Sequence, residues 1–229
     1  PPRQPGKPGG RTAYGHTITN YLGHKAFKMP HPPLPHKKKS IADFIPVARV
    51  SDMLLNPGQK FDYDGKEYIY PDIDLIYWAG GNPFHHHQNL TRLRKAWEKP
   101  STVIVNEWCW NALARHADII LPCTTTLERQ DIGMTPRDPF VISMDKAIEP
   151  IGEARNDYDI FAGIARNLDT EYAFTEGRSA EDWQEWIWEQ SRERAAKLNV
   201  KMPDYQSFRK TGFYKSPELK EDRIFLFYF

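Results

Sequence analysis

Three apolar runs of strand length limit the folds open to this chain: Leu75-Ile76-Tyr77-Trp78, Val103-Ile104-Val105 and Ile119-Ile120-Leu121. Between the first two lies a helical pattern, with Leu90, Leu93 and Trp97 at i, i+3 and i+7, closed by Pro100. A shorter stretch, Asn111 to His116, separates the second from the third. Buried strands alternating with helices predict a parallel sheet, because parallel neighbours need crossover connections that cover both faces. The expected fold is therefore α/β, a three-layer Rossmann-like parallel sheet with helices on both faces.

The flanking segments supply further elements. Val47, Val50, Met53 and Leu54 have helical spacing, and Asn56-Pro57-Gly58 stops them. Residues 61–70 read as a hairpin turning at Asp64-Gly65. Asn156 can cap a helix whose apolar face is Phe161, Ile164, Ala165 and Leu168. Ser179 to Asp182 resembles a capping box and opens a helix bearing Trp183, Trp186 and Ile187, whose tryptophans are expected to pack. Residues 41–170 are thus expected to form the α/β domain. Residues 171–229 are expected to be a helical extension running into the start of a further segment.

Charge separates the N-terminal part from the rest. Residues 1–39 contain eight bases and no acid, which leaves 23 bases against 30 acids in the remainder. A formal net charge of +1 therefore conceals +8 beside −7. Residues 1–40 also hold eight of the 19 prolines and read as an irregular basic arm. The arm lacks the aromatic or arginine pattern of a nucleic-acid binder, and contact with another part of the same protein is the expected role. No apolar run is long enough to span a bilayer, so no membrane insertion is expected. The start at Pro1 and the apolar end, Arg223 to Phe229, predict a piece of a longer polypeptide.

In an open parallel sheet, ligands bind beyond the carboxyl ends of the strands. Gly80-Gly81-Asn82-Pro83 follows the first run, Asn106-Glu107 the second, and Pro122 to Arg129 the third. Glycines permit close backbone approach, and an Asn amide both donates and accepts. Glu107 could accept from a ribose hydroxyl or from guanine N–H groups, or be a solvated helix start. Arg129 could fork onto a phosphate. Neither G-x-G-x-x-G nor G-x-x-x-x-G-K-[ST] occurs, which disfavours an ordinary NAD domain and a P-loop ATPase.

His85-His86-His87 invites a metal assignment, but adjacent side chains diverge too far to converge on one ion. Two readings remain: they donate to an anionic ligand, or they are structural. Cys109 and Cys123 are expected to be buried free thiols. They are too few for a disulfide scaffold.

The element Gly80-Gly81-Asn82-Pro83-Phe84-His85-His86-His87-Gln88 is followed by Ala114-Arg115-His116-Ala117-Asp118-Ile119-Ile120-Leu121-Pro122 and Leu127-Glu128-Arg129. Together they resemble the molybdopterin oxidoreductases of the dimethyl sulfoxide reductase family. The likeness is greatest to the trimethylamine N-oxide, dimethyl sulfoxide and biotin sulfoxide reductase branch. It runs from about Ile45 to about Ile160, and Trp108-Cys109-Trp110 and Cys123 depart from the pattern.

The resemblance implies an internal fragment of a large enzyme that holds molybdenum between two molybdopterin guanine dinucleotides (Mo-bis-MGD). By motif position it implies cofactor contacts at Asn82, Asn106, Glu107, Arg129 and Asp157, to which the strand-end reading adds Gly81 and His86, with a molybdenum ligand outside this chain. It also implies oxygen-atom transfer from a small S-oxide or N-oxide, as in anaerobic respiration, with electrons from a cytochrome or a thioredoxin-like reductant. The missing domains of the same polypeptide would be its partners. The expected location is periplasmic, with cytoplasmic as the alternative for a biotin sulfoxide reductase. A noncatalytic nucleotide-binding α/β module is the alternative function.

Overall fold

A computed structural model describes residues 34–35, 45–134 and 139–217. The basic arm, apart from residues 34 and 35, and the terminal apolar run lie outside the described residues. Those described form two compact units, one of residues 45–125 with 150–167 and one of residues 34–35, 126–134, 139–149 and 168–217.

The first is the parallel-sheet unit. A 3-10 turn, Val47–Arg49, leads into α1 (Val50–Leu55). The expected helix therefore starts later than its spacing suggested, and Val47 is 70% exposed. The hairpin β1 (Lys60–Tyr63) and β2 (Lys66–Ile69) turns at Asp64 and Gly65. Their φ angles of 51° and 73° match the tight turn that Asp-Gly favours.

The strands β3 (Leu75–Ala79), β4 (Thr102–Glu107) and β5 (Ile119–Pro122) pair in parallel in that order. Two helices, α2 (Pro83–His86) and α3 (Leu90–Trp97), connect β3 to β4. Alternation along the strands separates two faces. Ile76, Trp78, Val103 and Val105 share one face and pack with Leu54 of α1 and Leu93, Ala96 and Trp97 of α3. Tyr77 points the other way, its ring 5.2 Å from Phe161 of α4 (Asp157–Asn167). Helices therefore cover both faces, as expected.

The α4 face differs from the spacing prediction. Ile160, Ala162 and Ala165 are buried, whereas Leu168 falls beyond the helix end and is exposed. An ion pair ties α1 to α3: Asp52 accepts from Arg92 and also from Arg49. Burial pushes the Asp52 carboxyl up, but the two guanidiniums outweigh it and hold its pKa below the ordinary 3.8.

The second, antiparallel-sheet unit contains β6 (Asp131–Met134), β7 (Phe140–Met144), α5 (Glu171–Thr175), α6 (Ala180–Ala196), α7 (Tyr205–Thr211) and β8 (Phe213–Lys215). The division in space thus differs from a single 41–170 segment. β7 pairs with β6 on one side and with β8 on the other, which draws these two strands to the C-terminal segment. Ser179 and Asp182 form the expected reciprocal capping box at the start of α6. Val141, Trp188, Ala195, Met202, Tyr205 and Phe208 make the core. Among the described residues no helix is long and apolar enough to cross a membrane.

Candidate functional site

Each strand of the parallel sheet delivers polar residues at its carboxyl end. After β3, Gly80 and Gly81 take φ angles of 82° and 69°. An L side chain in that region costs roughly 1–2 kcal/mol. A Cβ at either glycine would meet nothing within 4 Å, so backbone conformation rather than crowding demands glycine, and the turn faces open space.

Asn82 then caps α2, its Oδ1 accepting from the Phe84 N–H at 3.0 Å. The residue is only 8% exposed, and its enclosed Nδ2 has no acceptor. A buried orphan donor costs about 1–3 kcal/mol until something accepts from it. His85 and His86 are exposed on α2 and His87 is half-buried. Among the described residues no group of three or more His, Cys, Asp or Glu side chains is gathered for a metal ion.

At the end of β4, Asn106 sits opposite Ala79 of β3 and is 4% exposed. Its Oδ1 accepts from the Tyr77 hydroxyl at 2.8 Å, and its Nδ2 donates to Asp157 Oδ1 at 2.8 Å. The amide expected to touch a ligand is therefore engaged within the protein at both ends. Burial raises the Tyr77 pKa and the Asp157 charge adds to the rise, so the hydroxyl keeps its proton. Glu107 is 8% exposed, and its Oε1 accepts from the Trp108 N–H at 3.1 Å. Neither Glu107 Oε2 nor Asp157 Oδ2 has a hydrogen-bond partner among the described residues, and Asp157 is exposed at the first position of α4.

Contacts that spacing did not reveal fix this arrangement. Cys123 bridges to Arg155, Thr124 N–H donates to the Arg155 carbonyl at 3.0 Å, and Thr124 Oγ1 donates to Asn156 Oδ1 at 2.7 Å. These bonds hold the start of α4 beside the end of β5 and so bring Asp157 to Asn106. The sequence carried a signal for Tyr77, a hydroxyl-bearing aromatic inside an apolar strand. It carried none for the pairing of Thr124 with Asn156, 32 residues away.

The parallel-sheet unit thus contains Gly81, Asn82, His86, Asn106, Glu107 and Asp157. Arg129 belongs to the other unit, where its Nε lies 3.2 Å from Asp131 Oδ2. The two cysteines correct an expectation. Cys109 is exposed between the exposed Trp108 and Trp110, and Cys123 is half-buried, because both follow strand ends and not a packed face.

Residues 6–167 match the family model described as molybdopterin oxidoreductase. The chain belongs to the molybdopterin oxidoreductase family. That membership implies a molybdopterin cofactor. A biotin sulfoxide reductase of Cereibacter sphaeroides is 43% identical over 97% of this chain and 30% of its own length. The likeness therefore extends well beyond the 45–160 stretch that the motifs cover.

A dimethyl sulfoxide/trimethylamine N-oxide reductase of the same organism is 47% identical over 78% of this chain and 22% of its own. A trimethylamine-N-oxide reductase of Haemophilus influenzae is 45% identical over 72% of this chain and 20% of its own. This chain of the molybdopterin oxidoreductase family thus spans less than a third of the length of these relatives. Among solved structures, acetylene hydratase from Pelobacter acetylenicus aligns over 65% of this chain and 19% of its own at 19% identity, with a TM-score of 0.46.

Proposed function

We propose that this chain is part of a molybdenum-dependent reductase of S-oxides or N-oxides, and that its parallel-sheet unit binds one molybdopterin guanine dinucleotide. The observation that carries the reading is the enclosed, unsatisfied Asn82 Nδ2 beside the open Gly80-Gly81 turn, on the same sheet edge as the Glu107 and Asp157 carboxylates.

That donor and acceptor set fits the group. A guanine presents N1–H and N2–H donors, which carboxylates accept, and a ribose presents hydroxyls that can do the same. A diphosphate needs donors and close backbone approach, which Asn82, His86 and the Gly80-Gly81 turn can supply. When bound, the cofactor supplies the two-electron molybdenum chemistry that removes oxygen from an S-oxide or N-oxide. The role of this chain is to bind and orient. The molybdenum ligand, the substrate funnel and the electron-donor surface are assigned to other domains of the polypeptide.

Metal and pterin analysis of the full-length protein tests the reading. Molybdenum together with pterin-linked guanine is expected, whereas guanine nucleotide without molybdenum would favour a noncatalytic nucleotide-binding module. The 229-residue chain alone is expected to show no turnover of trimethylamine N-oxide with reduced viologen as donor. Turnover by the chain alone would place the metal ligand within it and overturn that part of the proposal.

A further inference from the structure

Tyr77, Asn106 and Asp157 form a continuous hydrogen-bonded chain from the middle of β3, through the end of β4, to the first residue of α4. Its direction is determined by charge. A carboxylate is an acceptor only, so the Asn106 group facing Asp157 must be the NH2, which leaves its Oδ1 to face Tyr77 and requires a donor there. The phenol meets that requirement, since burial and the nearby Asp157 charge keep it protonated. A flipped amide would set Oδ1 against the carboxylate and leave two acceptors facing each other. Asn106 is nearly sealed from solvent, so water cannot readily replace either partner.

We infer that Tyr77 is a positioning residue: its hydroxyl holds the Asn106 amide in the orientation that donates to Asp157 Oδ1 and leaves Asp157 Oδ2 aimed outward at the guanine of a bound dinucleotide. This rests on the dinucleotide-binding reading above. A carboxylate fixed on one oxygen presents the other in a constant direction, and the ligand then does not have to immobilise the side chain itself. Packing is a separate role of the same residue, because the ring lies against Phe161. Tyr77→Phe removes the hydroxyl and keeps the ring. Phe161→Leu disturbs the ring contact and keeps the hydroxyl.

The test uses the full-length protein, as cofactor-loaded enzyme for molybdenum and guanine content and as apoprotein for nucleotide binding. The probes are guanosine diphosphate and inosine diphosphate, whose bases differ by the 2-amino donor. The wild type is expected to prefer the guanine nucleotide by about ten-fold or more, the scale of one charge-assisted hydrogen bond. Tyr77→Phe is expected to reduce that preference to below about three-fold, and Phe161→Leu to retain it. A cofactor-loaded wild type with an undiminished preference in Tyr77→Phe, with no preference to begin with, or with equal loss in Phe161→Leu overturns the positioning role and leaves the dinucleotide reading standing. A wild type that carries neither molybdenum nor guanine removes both.

Discussion

Trp188→Ala is expected to destabilise the antiparallel-sheet unit by about 3–5 kcal/mol, the usual range for deleting a fully buried aromatic. Trp188 is 1% exposed, and its ring stacks on Phe208 with centroids 3.7 Å apart and planes within 12°. Tyr214 of β8 meets it edge-on at 6.0 Å, and Trp188 Nε1 donates to the Pro203 carbonyl at 2.9 Å. One side chain therefore joins α6 to α7, to the strand that completes the sheet and to the loop between the helices. Alanine would leave a cavity and an unsatisfied carbonyl together. Against a typical total of about 5–15 kcal/mol, that loss is enough to unfold the unit under mild denaturant.

The measurement is amide hydrogen exchange across α6, α7 and β8 in the full-length protein, where protection is expected to fall together. Trp186→Ala is the control, since its half-buried ring packs edge-on against Trp183 of the same helix, and a much smaller effect is expected. Equal loss in both variants would show that Trp188 does not hold the core as its packing indicates.

Much of this architecture was legible in the sequence, and the gaps have physical causes. The three apolar runs located all three parallel strands because a sheet covered on both faces needs uninterrupted apolar segments. Asp64-Gly65 located the hairpin because its turn geometry is local. Local patterns also located the capping box on α6. They could not select Trp188 over Trp183 and Trp186, because the choice depends on α7 and β8, and neither is visible from α6 alone.

The same limit applied to the site. Strand-end reasoning reached Asn82, Asn106 and Glu107, each of which sits at a carboxyl edge. It treated Asn106 as a ligand contact, whereas the side chain is engaged between Tyr77 and Asp157, a bond that spans 51 residues on one side. Asp157 came from family resemblance, and the structure supplies the physical connection that strand spacing lacked. Arg129 illustrates the opposite case: it follows the third run in sequence, yet the chain by then has entered the other unit.

Asp157→Ala in the full-length protein is expected to lower molybdenum and guanine content sharply, with cofactor affinity falling about 10- to 100-fold. That range is the loss of one or more charge-assisted hydrogen bonds, about 1.5–3 kcal/mol. Two further effects accompany it. An acidic residue in the first turn of α4 stabilises the helix dipole by about 0.3–1 kcal/mol. Its removal also takes the acceptor from the buried Asn106 Nδ2, which loosens the Tyr77 chain. The stability of the unit is therefore measured beside its cofactor content.

Asp157→Asn separates these contributions further, because it keeps an oxygen for Asn106 while abolishing the charge offered to guanine. Its molybdenum content is expected to fall close to that of the alanine variant, but with α4 intact. Glu107→Gln against Glu107→Ala makes the parallel comparison at β4, where either glutamate or glutamine can accept from the Trp108 N–H and alanine cannot. If inductively coupled plasma analysis finds full molybdenum occupancy in Asp157→Ala and Glu107→Ala alike, the dinucleotide does not rely on this sheet edge. The enclosed Asn82 donor would then require a different acceptor.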